Sequence, residues 1–127
     1  MTEASKKKIL IAEDDQDIRD LYVFVLTNAG YEPKAVGDGS AALAEAQKGG
    51  FDLILLDLMM PSMSGLDFLK ELKKHTPQQP NGPIIVMSNL AYSEAKDEAI
   101  ELGASDFLVK AELEPKQIIE KVKKMLE

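Results

Sequence analysis

Carboxylates stand where the chain has just finished apolar runs. Glu13, Asp14 and Asp15 follow the run Lys8 to Ala12, Asp57 follows the run Asp52 to Leu56, and two later runs end on Ser88 and Lys110. If the first and third runs lie side by side, at least three acids meet in one small crevice. Like charges a few ångströms apart raise one another's pKa and destabilise the fold unless a cation sits among them. A cluster of oxygens without histidine or cysteine suits Mg2+, with Mn2+ or Ca2+ as substitutes. A hydroxyl at Ser88 can donate to an anionic oxygen, and the Lys110 ammonium can meet the same anion as a point charge. Together these groups describe a site for a phosphoryl group attached to, or transferred onto, a carboxylate through an acyl phosphate.

Plainer roles compete for the same residues. An Asp just past a strand is often only the N-cap of the next helix, and Asp15 fits that role. Asp57 interrupts a buried apolar run between LILL and LMMP, where capping can be left to Ser62 or Ser64. It stands between a structural and a functional reading, since perturbed acids often mark sites. His75 lies at a helix end beside a proline-rich loop and reads as a surface residue or a partner of the helix dipole. The methionines Met59, Met60 and Met63 read as loop packing.

Positioning these groups requires regular elements. Runs rich in Ile, Leu and Val at Lys8 to Ala12, Glu32 to Val36, Asp52 to Leu56, Ile84 to Met87 and Asp106 to Val109 predict five strands. Each gap leaves room for one helix, and continuous apolar character suits parallel strands covered on both faces. Ile18, Leu21, Tyr22, Val25 and Leu26 line one face of a first helix closed by Gly30. Further helices are predicted at Ser40 to Lys48, after Ser64, at Ser93 to Leu102, and from Pro115 through Ile118, Ile119, Val122, Met125 and Leu126. Pro33 marks the second strand as an edge. The pattern predicts an α/β, doubly wound sheet of order 2-1-3-4-5, whose first and third strands flank the switch point where such sheets bind ligands.

The chain has 127 residues, a single domain's worth. Its 22 acidic and 15 basic residues give a net charge of −7, which opposes binding to nucleic acid and to anionic membrane surfaces. Without cysteine there is no thiol nucleophile, thiolate metal site or disulfide, and with 45% hydrophobic residues the chain can bury a core. Ile9 to Ala12 is too short for a signal h-region, and Asp57 splits the longest apolar stretch well below the roughly 20 residues of a membrane span. The expectation is a cytoplasmic protein.

The motifs AEDD at 12 to 15, LLDLMMPSMSG at 55 to 65, VMSN at 86 to 89 and LGASDFLVK at 102 to 110 are spread along most of the chain. On these residues the sequence resembles the receiver domain of two-component response regulators, from Lys8 to Leu126. The resemblance implies a flavodoxin-like (βα)5 domain over residues 1–127, and because the fifth helix reaches the end of the sequence, no effector domain is expected. It implies Asp57 as phosphoacceptor, taking a phosphoryl group from a histidine kinase or phosphotransfer protein. Glu13, Asp14, Asp57 and the Met59 backbone carbonyl would hold Mg2+. Ser88 and Lys110 would contact the phosphoryl oxygens, and Ser88 with Phe107 would form a switch acting on the face of helix 4, strand 5 and helix 5. Read from its residues alone, Phe107 is equally a core side chain. Such a protein would catalyse its own phosphorylation and dephosphorylation without being a turnover enzyme, as a monomer or weak homodimer.

Two departures from the family pattern carry expectations. Ala111 follows Lys110 where most receivers have a cis proline, and a cis bond before a non-proline costs about 2.5 to 4 kcal/mol, so a trans bond and a reshaped loop are expected. Met59 and Leu90, two positions beyond Asp57 and Ser88, are apolar and cannot orient a hydrolytic water, which predicts slow self-dephosphorylation. The competing functions are a phosphorylation-independent pseudo-receiver, an aspartyl phosphatase of the haloacid-dehalogenase type, which would want a second acid at Met59, and a flavodoxin-like cofactor binder, which would want a phosphate-cradling loop after strand 1.

Overall fold

Parallel strands buried on both faces need apolar side chains on both, and the Ile-, Leu- and Val-rich runs supply them. The computed structural model describes residues 6–89 and 93–127. Strands β1 (Lys8–Ala12), β2 (Glu32–Val36), β3 (Leu53–Asp57), β4 (Ile84–Ser88) and β5 (Asp106–Val109) alternate with helices α1 (Gln16–Asn28), α2 (Gly39–Lys48), α3 (Gly65–Lys74), α4 (Ser93–Glu101) and α5 (Pro115–Leu126). The sheet is parallel throughout, in the order β2-β1-β3-β4-β5. This is the doubly wound α/β arrangement expected from the sequence, and Pro33 lies on an edge strand.

The two-residue period of a strand sorts the core into two layers. Leu10, Ala12, Ile54, Leu56 and Val86 face Ala42 and Ala46 of α2, Phe68, Leu69 and Leu72 of α3 and Ala99 of α4. Ile9, Ile11, Leu53, Leu55, Ile85, Met87 and Leu108 face Tyr22 and Leu26 of α1 and Ile118, Ile119 and Val122 of α5. Among the described side chains of α4, Ala99 is the one fully buried, so this helix contributes little apolar area.

Helix starts are fixed by the residues just ahead of them. Asp15 accepts the Ile18 N–H at 3.1 Å, Asp38 accepts the Ala41 N–H at 2.8 Å and Ser64 accepts the Asp67 N–H at 3.2 Å. Each satisfies a donor that the first helical turn leaves without a partner. Asp15 therefore spends its side chain on α1. Pro115 opens α5, and the Gln117 side chain accepts the Glu114 N–H at 2.8 Å. His75 is the exposed C-cap residue of α3.

Three strand boundaries differ from the sequence reading, and α2 begins one residue earlier, at Gly39, while α4 ends one residue earlier, at Glu101. β3 begins at Leu53 and includes Asp57, which pairs in register with Met87, and β4 runs on to Ser88, paired with Val109. Asp52 stays outside the strand because its carboxylate accepts the Lys8 N–H at 2.7 Å, ahead of the ladder. Lys110–Glu112 form a short 3-10 turn, and no described peptide bond is cis, so the Lys110–Ala111 bond is trans.

Candidate functional site

β1 and β3 are neighbours, with Ala12 opposite Leu56. Their carboxyl ends therefore release Glu13, Asp14 and Asp57 into the same crevice. One carboxylate oxygen from each lies within 4.8 Å of the others, Glu13 and Asp57 being buried and Asp14 exposed. Lys110, leaving β5, reaches across to donate to Glu13 Oε1 at 2.5 Å and Asp57 Oδ2 at 3.0 Å. Ser88 is buried at the end of β4, between the strands that carry Asp57 and Lys110.

The other carboxylate oxygens of Glu13 and Asp57 are held by the backbone. Asp57 Oδ1 accepts the Met59 N–H at 3.0 Å, and Glu13 Oε2 accepts the Asp15 N–H at 3.1 Å. The Met59 side chain itself is 59% exposed. Gly65, at the start of α3, lets that helix close against the loop after β3: a Cβ there would stand 2.7 Å from Leu58 Cα. Ser62, whose φ of 66° is in the left-handed region, ties the loop to α2 by donating to Asp38 Oδ1 at 3.2 Å and Ser40 Oγ at 3.0 Å.

Burial pushes the Glu13 carboxyl up to about 7, and the neighbouring Asp57 charge adds to this against the opposing Lys110 and Asp15 hydrogen bonds. Burial works to lower Lys110, but its bonds to Glu13 and Asp57 outweigh that and hold the ammonium up to about 12. The lysine stays charged while the acids beside it carry more negative charge than it offsets. Hard oxygen donors with this excess charge, and no nitrogen or sulfur among them, fit a small divalent cation such as Mg2+.

Phe107 is half-buried on β5 and packs with the α2, α3 and α4 layer, on the opposite side from Leu108. It borders the core layer to which Ala99 of α4 belongs. Leu90 lies outside the described residues. Sequence reasoning passed over Arg19, whose guanidinium donates to the Glu13 carbonyl at 2.8 Å. Its signal was a basic residue one turn into the helix that follows the acid pair. It also passed over Tyr22, buried beneath the site with its hydroxyl 3.8 Å from Met87 Sδ and its pKa pushed by burial up to about 12.

The order of the sheet, with acids at the ends of β1 and β3, a hydroxyl on β4 and a lysine after β5, defines a doubly wound domain with acidic and basic side chains gathered at its switch point. The family profile of the response regulator receiver domain matches residues 9–123, and the chain belongs to that family. The sensory transduction protein RegX3 of Mycolicibacterium smegmatis is 39% identical over 102 residues, covering 80% of this chain and 43% of that protein. The chain thus spans less than half the length of that relative. Chemotaxis protein CheY4 of Vibrio cholerae superposes with a TM-score of 0.83 at 34% identity, over 96% of this chain and 100% of that one. The response regulator TrrA of Thermotoga maritima, solved in complex with Mg(2+)-BeF, superposes at 0.76 with 31% identity over 94% and 99% of the two chains.

Proposed function

We propose that this domain is a phosphorylatable signalling switch in which Asp57 accepts a phosphoryl group from the phosphohistidine of a histidine kinase or phosphotransfer protein. The observation that carries the reading is a carboxylate 2% exposed at the end of the central strand, with an ammonium at 3.0 Å and two further acids beside it. In the transfer an Asp57 carboxylate oxygen forms a bond to phosphorus as the phosphorus–nitrogen bond to the donor imidazole breaks; the electron pair stays on that nitrogen, and a proton taken from water at the other ring nitrogen lets the imidazole leave neutral. Glu13, Asp14, Asp57 and the Met59 carbonyl would hold Mg2+, which when bound neutralises charge on the phosphoryl oxygens.

The chain's own groups account for the rest. The Met59 N–H fixes Asp57 Oδ1, so the carboxylate is oriented before the donor arrives. Lys110 sits where its ammonium can turn from the acids to the incoming phosphoryl oxygens. Ser88 supplies a hydroxyl donor from the adjacent strand, and its movement toward the phosphoryl group would open room for Phe107 to turn inward. That exchange biases the face formed by α4, β5 and α5, through which a downstream protein is engaged. The relative solved with Mg(2+)-BeF supports the same use of the site. On this reading the protein acts in the cytoplasm and is modified by its own chemistry without turning over a substrate pool.

The test is intact mass after incubation with acetyl phosphate, with and without Mg2+, beside an Asp57→Asn control. A gain of one phosphoryl group that needs Mg2+ and disappears in the control is the expected result. No gain, from acetyl phosphate or from a phosphorylated kinase, would replace the switch with an interaction module that ignores phosphorylation.

A further inference from the structure

The acids after β1 do useful work only if a short, charged turn keeps both carboxylates converging. Glu13 is pinned at every polar group: its N–H donates to the Val36 carbonyl at 3.1 Å, its carboxylate accepts from Lys110 and the Asp15 N–H, and its carbonyl accepts from Arg19 Nη1 at 2.8 Å. The same Arg19 nitrogen lies 3.4 Å from the Asp14 carbonyl. One guanidinium thus gathers the two consecutive carbonyls of Glu13 and Asp14 that precede the helix.

The space for that guanidinium is supplied by Gly37, the residue after β2. A Cβ at Gly37 would stand 2.8 Å from Arg19 Nη1 and 3.4 Å from its Cζ, with no other atom so near. Since the obstacle is the far end of a flexible side chain, alanine at this position would push the guanidinium away and leave the backbone in place. Arg19 and Gly37 therefore form one device, built from α1 and the edge strand.

We infer that Arg19, seated in the gap left by Gly37, is a positioning residue that holds the Glu13–Asp14 turn in the geometry needed to bind a divalent cation. The inference rests on the proposed metal-holding role of Glu13 and Asp14. Groups that orient the residues bearing metal ligands change affinity without touching the ion. Arg19 also carries a positive charge, which by itself opposes cation binding, so removing only an electrostatic influence would tighten binding. Removing a positioning influence weakens it. The two roles thus move the same measurement in opposite directions.

The experiment is isothermal titration of Mg2+ into the unsubstituted protein and into Arg19→Met, Arg19→Lys, Gly37→Ala and the Arg19→Met/Gly37→Ala double variant, with circular dichroism to confirm folding. Arg19→Met and Gly37→Ala are each expected to weaken Mg2+ binding about tenfold. The double variant should be no weaker than the worse single one, because both changes break the same contact. Arg19→Lys, which keeps the charge and one donor, should recover part of the loss. Phosphorylation by acetyl phosphate should return to the parent rate at saturating Mg2+. Unchanged or tighter binding in Arg19→Met and Gly37→Ala, or losses that multiply in the double variant, would overturn the inference while leaving the functional reading standing. Failure of the unsubstituted protein to bind Mg2+ would overturn both. Should Arg19→Met fail to fold, Gly37→Ala and Arg19→Lys decide the matter alone.

Discussion

Lys110 donates to Glu13 Oε1 at 2.5 Å although the two residues are 97 positions apart in the chain. The same ammonium reaches Asp57, so a single cation serves two buried acids. Replacing it by Lys110→Met leaves those acids uncompensated. The metal-free variant should lose about 3 kcal/mol at pH 8, in line with removal of one partner of a buried pair. At pH 5 the loss should shrink, since Glu13 is then protonated in both proteins. Urea unfolding at the two pH values checks this, and equal losses would show that the lysine stabilises by packing rather than charge.

Glu13 provides a second prediction. Its carboxyl titrates at about 7 in the folded protein against an ordinary 4.5. The folded state holds that proton more tightly than the unfolded chain, so this group costs the metal-free protein stability as pH rises from 4.5 to about 7. A cation requires the charged carboxylate and must displace the proton. Mg2+ affinity should therefore fall as pH drops below 7, by up to about tenfold per pH unit, with release of a proton on binding. Titration calorimetry in buffers of different ionisation enthalpy measures the proton directly. A flat affinity between pH 5 and 8 would contradict the assignment of Glu13 to the metal.

Gly65→Ala should be costly out of proportion to one methyl group. The added Cβ would meet Leu58 Cα at 2.7 Å and the Asp57 carbonyl at 2.9 Å, where β3 passes into the loop that follows it. Overpacking against backbone should cost about 2 kcal/mol, and phosphorylation by acetyl phosphate should slow as α3 is pushed off the loop. A stable variant phosphorylated at the parent rate would mean that this close approach positions nothing.

The sequence made the architecture legible because the two hydrophobic layers need continuous apolar strands, and Pro33 could sit only on an edge. Asp57 and the Glu13–Asp14 pair were legible for a related reason: charges at the ends of buried runs have no structural need to be there. What escaped was set by contacts between segments far apart. The start of β3 depends on Asp52 bonding Lys8, and the turn at Lys110–Glu112 depends on how β5 meets α5. Arg19 was passed over because its purpose is visible only once Gly37, just beyond β2, is seen to make room for it.

The lifetime of the acyl phosphate gives a fourth prediction. The Met59 side chain is 59% exposed beside Asp57 and offers no hydrogen bond to a hydrolytic water. Met59→Asn should shorten the phosphoryl half-life by about tenfold, less than a full general base would bring. Decay followed by intact mass after removal of acetyl phosphate tests it. An unchanged half-life in Met59→Asn combined with Leu90→Gln would remove apolar flanking as an influence on hydrolysis.

The central claim is that Asp57, and no other acid in the cluster, carries the phosphoryl group. Borohydride reduces an acyl phosphate to an alcohol, so reduction of the phosphorylated protein followed by peptide mapping marks the modified position. Homoserine is expected at position 57, with intact acids at Glu13 and Asp14. Reduction at either of those residues, or at none in a protein whose mass has risen by one phosphoryl group, would contradict it.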